Sequence, residues 1–189
     1  MSPVPDTHGR WPLVGAAALG PVALASIRWA ELRPLAVLLS HQTEEWVWPG
    51  GFLPWINREV LGSDDDEFPL DRRAGFVINV GLGWALSLST LAGPRAAAPQ
   101  ALLYVSHIGN AALHVGWAAR HRRVDPGVAT GALGLLPLGV SGLRKLAKDP
   151  EVARSSLAAG VVGGIVFAAG LAPFFRARLS RSRRRTSQH

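Results

Sequence analysis

Long apolar stretches separated by short polar ones dominate this chain. They run roughly over 12–27, 34–48, 74–92, 97–119, 127–143 and 157–175. Several approach the ~20 residues with which a helix crosses the hydrocarbon core of a bilayer. Charged residues are bunched between these stretches instead of being dispersed along the chain. The pattern predicts an all-α integral membrane protein, a helical bundle of five to six transmembrane helices.

The same pattern divides the chain into four segments. Residues 1–30 form an N-terminal segment that is either an extra membrane helix or a signal peptide, because its apolar stretch is short and Ala23-Leu24-Ala25 resembles a signal-peptidase site. Residues 31–145 form the membrane core. Residues 146–175 are predicted to be a C-terminal transmembrane helix, and residues 176–189 a basic cytoplasmic tail.

Composition agrees with a membrane location. Hydrophobic residues make up 48% of the chain and charged residues 17%. A net charge of +7 would suggest nucleic-acid binding in a soluble protein, but here the arginines collect in the tail, without an aromatic stacking platform. A basic tail beside a membrane is typical of a terminus held against anionic lipid. We therefore expect membrane lipid, and not nucleic acid, as a partner.

The distribution of lysine and arginine also predicts the orientation. These residues are enriched in cytoplasmic loops. With six helices, the segments on the side of the termini hold more of them than the opposite segments. We therefore expect a multi-pass protein of the cell membrane with both termini in the cytoplasm.

Polar side chains interrupt three of the predicted helices, and all of them except His107, which lies deeper, are at a similar depth. They are His41, Glu44 and Glu45 on the second stretch, Asn79 on the third, and His107, Asn110 and His114 on the fourth. Ionisable groups at membrane depth cost several kcal/mol unless they pair, bind an ion or reach water. This layer, on the inner side of the bundle, therefore predicts a functional site.

The spacing of these residues favours metal binding. Residues three, four or seven positions apart share one face of a helix, and a His and a carboxylate one turn apart can both bind a metal. We expect His41, Glu44, Glu45 and His114 to bind a divalent metal. Two histidines and a carboxylate suit either zinc or non-haem iron, and the sequence does not choose between them.

Other polar residues have two interpretations each. Asn110 and Asn79 either bind the metal or orient the rings that bind it. Alternatively, they form hydrogen bonds between helices. His107 contacts a bound cofactor or is a satisfied core histidine. Thr130 orients a ligand or bonds a backbone carbonyl. The acidic run Asp64-Asp65-Asp66-Glu67 is expected to be a solvated surface.

These motifs resemble those of the HXXEE family of small membrane proteins. The matching residues are His41, Glu44 and Glu45; Trp48-Pro49-Gly50-Gly51-Phe52 and Asn57; the region of Asn79; Asn110 to His114; and Pro126-Gly127 to Thr130. The resemblance covers about residues 32–145 and implies an enzyme with a site at these polar residues, without implying a reaction. In one departure, similar proteins often have an aromatic residue just before the Pro-Gly, where this chain has Val124-Asp125.

We expect a membrane-embedded, metal-dependent enzyme that acts on a lipid-like or hydrophobic small molecule. A bound divalent metal lowers the pKa of water, and a spare carboxylate can act as general base. The catalytic residues would be His41, Glu44, Glu45, Asn110 and His114. Hydrolysis is favoured slightly over oxidation at a non-haem iron site with the same ligands.

Two further interpretations need no metal. Paired glutamates with His and Asn are similar to the residues of intramembrane glutamate proteases of the CAAX-processing type, and protonated carboxylates can start an isomerisation or a cyclisation. The non-enzyme alternative is a small ion or proton carrier that uses the same groups.

Overall fold

The fold is helical throughout the part of the chain that the structure describes. The computed structural model describes residues 9–186, so residues 1–8 of the N-terminal segment and 187–189 of the tail lie outside the described residues. No β-strand occurs within 9–186, and the all-α prediction is confirmed. The helices are α1 (Trp11–Arg28), α2 (Arg33–Trp46), α3 (Phe52–Trp55), α4 (Arg72–Phe76), α5 (Ala85–Leu88), α6 (Ala97–His121), α7 (Val128–Thr130), α8 (Leu136–Lys148) and α9 (Arg154–Thr186). Shorter 3₁₀ or π-helical segments are Ala30–Leu32, Ile56–Val60, Val77–Trp84, Ser89–Ala96 and Gly131–Leu135.

Prolines and one aspartate set the beginnings of several helices. Pro12, Pro34 and Pro137 lie in the first turns of α1, α2 and α8, where a missing N–H breaks no intrahelical bond. Asp71 caps α4, because its carboxylate accepts the N–H of Ala74 at 2.8 Å. Local sequence therefore determines where these helices start.

Three helices within the described residues are long and apolar enough, by length and composition, to cross a membrane. They are Trp11–Arg28, Arg72–His121 and Arg154–Arg185. This finding supports a membrane protein, but the number is below the five to six predicted. The α2 helix has only 14 residues, and the predicted span that follows Gly127 is divided between α7, a π-helical segment and α8. The stretch of 50 residues from Arg72 is itself interrupted at Gly93, whose φ of 62° and ψ of −147° are not helical.

The α6 helix lies at the centre of the bundle. It packs along α8 and α9, whereas α1 packs against α2. One apolar cluster reaches α6 at Tyr104 and another reaches it at Trp117. His107, Asn110 and His114 lie between these two positions, so apolar packing flanks the polar layer on both sides.

Small residues bring α6 and α9 close together. A Cβ atom on Gly109 would lie 2.8 Å from the Cβ of Ala168, and one on Gly164 would lie 2.6 Å from the Cβ of Val105. Such contacts at glycine let helix backbones approach closely in a membrane. The α9 helix therefore forms one wall of the bundle beside the polar layer.

The C-terminal helix is longer than predicted. It was expected to end near residue 175, but α9 continues to Thr186 and includes most of the basic segment. The Arg178 guanidinium donates to the Pro69 carbonyl at 2.7 Å and to the Asp71 carboxylate at 2.8 Å. Part of the basic segment therefore packs on the loop before α4.

Candidate metal centre

Two histidines and a glutamate meet in the interior of the bundle. His41 and Glu45 lie one turn apart on α2, and His114 faces them from α6. The Nε2 atoms of His41 and His114 lie 3.3 and 3.1 Å from one oxygen, Oε1 of Glu45. The exposed fraction is 1% for His41, 3% for Glu45 and 0% for His114. The structure thus brings together three of the four predicted metal ligands.

The Nδ1 atom of each ring, its outer nitrogen, forms a hydrogen bond with a side-chain oxygen. The Nδ1 of His114 lies 2.6 Å from Oδ1 of Asp125, and a carboxylate only accepts, so the ring donates. The Nδ1 of His41 lies 2.9 Å from the hydroxyl oxygen of Thr130, which donates its own hydrogen to Glu44 and therefore accepts from the ring. Both rings thus carry a hydrogen on Nδ1 and turn Nε2 toward Glu45.

Three electron-pair donors therefore converge on one point. A neutral imidazole that donates through Nδ1 presents only a lone pair at Nε2. The His41 lone pair accepts the amide N–H of Asn110, but the His114 lone pair and the Glu45 carboxylate face each other in a buried place, which is unfavourable unless a cation or a shared proton lies between them. These donors suit a divalent metal, since nitrogen and oxygen ligands about 2.0–2.1 Å from a tetrahedral zinc lie ~3.3 Å from one another.

The observed geometry meets that requirement. The separations between Nε2 and Oε1 of 3.1 and 3.3 Å match the spacing of neighbouring ligands, and all three ligand atoms lie within 4.8 Å of one another. Carboxylate and hydroxyl groups on the outer nitrogens are also the partners that orient metal-bound histidines. His41, Glu45 and His114 could therefore hold a metal ion.

Gly127 lets the chain pass directly over the two rings. A Cβ atom at this position would lie 2.8 Å from Cε1 of His114 and 2.9 Å from Cε1 of His41. Its φ of 112° is also a conformation that residues with a side chain rarely adopt. The turn at Pro126-Gly127 thus places Asp125 and Thr130, on either side of it, at the outer nitrogens of the two rings.

An aromatic side chain fixes His114 from another side. Trp55 on α3 stacks on the imidazole with ring centroids 4.9 Å apart and planes 17° apart. Trp117 packs edge-on against Trp55 at 5.5 Å. Because α3 follows the turn at Gly50-Gly51, where both glycines have positive φ, the chain reverses after α2 and returns to cover this ring.

Glu44 points toward a different set of groups. Its carboxylate accepts the N–H of Ala129 at 3.2 Å, the N–H of Thr130 at 2.8 Å and the Thr130 hydroxyl. Glu44 was predicted to be a metal ligand beside Glu45, but it is not in the group of three that could hold an ion. Glu44 links α2 to α7 through these hydrogen bonds, and it also orients the Thr130 hydroxyl that contacts His41.

The two predicted asparagines have different partners. The amide nitrogen of Asn110 donates to Nε2 of His41 at 3.0 Å, so Asn110 contacts the centre directly. Asn79 accepts from Gln42 at 3.0 Å and donates to the Gly75 carbonyl at 2.9 Å. Its contacts are those of a hydrogen bond between helices, the second interpretation given for it, and not those of a ligand.

Comparison with known proteins identifies the family. The family model described as a protein of unknown function with an HXXEE motif matches residues 33–141. The chain belongs to the HXXEE family. The motif residues are His41, Glu44 and Glu45, and the match also includes His114, Asp125 and Thr130. No curated protein and no solved structure matches the chain significantly.

One site residue of this HXXEE protein, and one buried polar residue inside the motif, were missed from the sequence. Asp125 was noted only as a departure from related sequences, yet it is 3% exposed and bonded to His114. Its position next to Pro126-Gly127, shortly after α6, is the signal that could have found it. Gln42, inside the motif, is buried and accepts from Trp84 at 2.8 Å. Apart from its position next to His41, nothing in the sequence indicates that Gln42 is buried.

An apolar cavity of about 240 Å³ adjoins the HXXEE motif. Glu45 and Asn110 contribute to its wall, and so does His107, one turn before Asn110 on α6. His107 is 4% exposed, and neither of its ring nitrogens has a hydrogen-bond partner among residues 9–186. No group among the described residues satisfies His107, which favours the other interpretation, a contact with a bound molecule.

Proposed function

We propose that this HXXEE protein is a membrane-embedded, divalent-metal-dependent enzyme that hydrolyses a lipid-like or hydrophobic substrate. The observation that carries the proposal is the convergence of two Nε2 atoms and a carboxylate oxygen in a buried place, with each ring held at Nδ1 by an oxygen. A divalent ion bound there would supply Lewis-acid activation of water. Either zinc or iron fits these ligands.

Each residue has a distinct part in this proposal. His41, Glu45 and His114 hold the ion, and Asp125 and Thr130 keep the two rings in the tautomer that has a lone pair at Nε2. On His41 the ion would take this lone pair from the amide of Asn110. The apolar cavity beside Glu45 takes the hydrophobic part of the substrate.

Glu44 is the remaining carboxylate and is proposed as the proton acceptor. It is half-buried and lies outside the group of three ligands. The Thr130 hydroxyl bonds both Glu44 and Nδ1 of His41, but a ring whose Nε2 holds the ion carries no proton away from the centre, so Glu44 would accept the proton from the water directly. In hydrolysis, the proton lost by the attacking water moves to this carboxylate and then to the leaving group.

We further propose that the chain spans the cell membrane five or six times, with both termini in the cytoplasm. The interruption at Gly93 supports counting Arg72–His121 as two spans. Leu86, before the interruption, and Leu103, after it, line the same cavity, as expected if the two parts run antiparallel. The metal centre would then lie in the inner half of the bilayer, within reach of membrane lipids.

A second candidate is metal-free acid-base catalysis of an isomerisation or cyclisation. It is favoured by the chain of contacts from Asp125 through His114 to Glu45, since an imidazolium between two carboxylates would also satisfy this centre. Oxidation at a non-haem iron with the same three ligands is a variant of the first proposal. An ion or proton carrier has less support, because the cavity beside the centre is mostly apolar.

The deciding experiment is the metal content of the detergent-purified protein, measured by inductively coupled plasma mass spectrometry. We expect near-stoichiometric zinc or iron in the wild type and in His121→Ala, a matched control whose histidine is exposed on the same helix as His114. We expect no bound metal in His41→Ala or His114→Ala. Zinc would favour hydrolysis and iron would favour oxidation.

A metal-free wild type, purified without chelators and after an attempt to reload it, would contradict the metal proposal. The same measurement would then favour acid-base catalysis. Circular dichroism of each variant checks that loss of metal does not result from loss of the helical fold.

A further inference from the structure

We propose that the cavity binds one long apolar chain that carries a hydroxyl group, and that His107 forms a hydrogen bond with this hydroxyl. The proposal rests on the function proposed above, because it names the class of substrate for the same site. It assigns His107 as a specificity-determining residue and α9 as the wall that determines which chains fit.

The state of His107 carries the first step. The ring is buried and lines a mostly apolar cavity, and neither nitrogen has a partner among the described residues. Neighbouring atoms cover both nitrogens, so a hydroxyl in the cavity reaches one of them after the ring turns. A buried polar group without a partner is unfavourable, so a ligand that supplies one gains affinity. A neutral imidazole offers one donor and one acceptor, and a hydroxyl can pair with either nitrogen.

The position of His107 carries the second step. It lies three residues before Asn110, which is about 4.5 Å along the axis of α6. Asn110 contacts His41, and both Asn110 and Glu45 line the same cavity. A molecule in this cavity would therefore place one group at the HXXEE motif and a second polar group a few methylenes away, at His107.

The size and the wall of the cavity indicate what kind of chain fits. Its volume of about 240 Å³ is smaller than the roughly 300–1,000 Å³ of sites for drug-sized ligands, so one chain suits it better than a two-chain lipid. Much of its wall belongs to α9, which contributes Phe167, Ala168, Leu171, Ala172 and Phe175. These residues lie outside the family match over 33–141, so this wall is a feature of the present chain and not of the matched family region.

The test uses the full chain in lipid nanodiscs, treated with a chelator so that binding is measured apart from metal chemistry. The probe is a long-chain alcohol with a photoreactive diazirine on its chain, and the crosslinked peptides are mapped by mass spectrometry. 1-Tetradecanol and tetradecane-1,5-diol compete with the probe. We expect crosslinks on α6 and α9. We expect the diol to compete at a concentration about tenfold lower than 1-tetradecanol, because a tenfold difference in affinity corresponds to about one buried hydrogen bond.

Variants separate the polar contact from the apolar wall. His107→Leu is expected to abolish the difference between the two alcohols, whereas His107→Gln, which keeps a donor and an acceptor, should retain part of it. Ala172→Phe should fill the cavity and remove the crosslinks. Ala169→Phe is the matched control, since Ala169 lies on the same helix and is exposed, and it should leave crosslinking unchanged.

Equal competition by the two alcohols in the wild type, or crosslinks that persist in Ala172→Phe, would overturn the proposal. If thermal melting shows that Ala172→Phe does not fold, the His107→Leu comparison decides alone. Metal content is measured on the same preparations before chelation. Chain binding without any bound metal would reject the metal proposal and keep the cavity proposal, and metal without chain binding would do the reverse.

Discussion

The buried candidate metal centre and the exposed loop before α4 both gather carboxylates, but their partners differ. In the loop, Asp66 pairs with Arg58, and Glu67 lies 3.0 Å from Arg72; all four side chains are about half exposed. In the centre, the carboxylates of Glu45 and Asp125 pair with imidazole rings. Arginine keeps its charge, whereas imidazole can lose a proton or bind a metal. The charges of Asp66 and Glu67 are therefore already balanced, while the charge of the centre depends on what binds there.

The largest effect is expected for Glu45→Gln. This change keeps the shape of the side chain but removes the carboxylate that faces both rings, so bound metal should fall below detection. Metal content by mass spectrometry measures it, and Glu67→Gln in the loop is the control that should keep its metal. A Glu45→Gln protein that still held a full equivalent would show that the two regions do not differ in the proposed way.

A smaller effect is expected for Asp125→Asn. The amide can still contact Nδ1 of His114 but no longer supplies a negative charge there. Loss of such an outer partner typically weakens metal binding by about 10–100-fold. Titration of the metal-loaded protein with a competing chelator measures the affinity. Unchanged affinity would indicate that Asp125 serves packing alone.

A still smaller effect on the metal is expected for Glu44→Gln. Glu44 acts on His41 only through the Thr130 hydroxyl, so we expect metal affinity to fall by less than about tenfold. The Tm should fall as well, because the carboxylate also accepts two backbone N–H groups at the start of α7. If Glu44→Gln lost metal as completely as Glu45→Gln, Glu44 would have to be a ligand after all.

The smallest effect is expected for Asp66→Asn in the loop. Ion pairs between exposed side chains contribute little to stability. Neither metal content nor the Tm should change measurably, as a melting curve of the metal-loaded protein would show. A clear loss of metal would mean that the loop is coupled to the centre, and the contrast between the two regions would fail.

Much of the centre was predictable because helical spacing is a local property. His41 and Glu45 share a face of α2 four residues apart, and His114 has the matching depth on α6, so the three residues that could hold a metal followed from periodicity. Asp125 did not follow, because it lies in a turn and turns have no such periodicity. Its role depends on the Gly127 backbone passing over both rings.

The number of membrane spans was predicted less well than the helical class. Apolar composition identified each helical region, but it could not indicate that the span after Gly127 would be divided between short helical segments. Similarly, residues 176–189 were predicted to be a basic cytoplasmic tail, and nothing local shows that α9 would continue to Thr186 and that Arg178 would reach Asp71.

The sequence by itself determined the helices, their apolar faces and the spacing of the HXXEE motif, because all three depend on neighbouring residues along one chain. Only the tertiary structure decided between the two adjacent glutamates. Consecutive residues on a helix point about 100° apart, so Glu44 and Glu45 must face different neighbours. The packing of α6 beside one and of α7 beside the other assigns Glu45 to the two histidines and Glu44 to the backbone of Thr130.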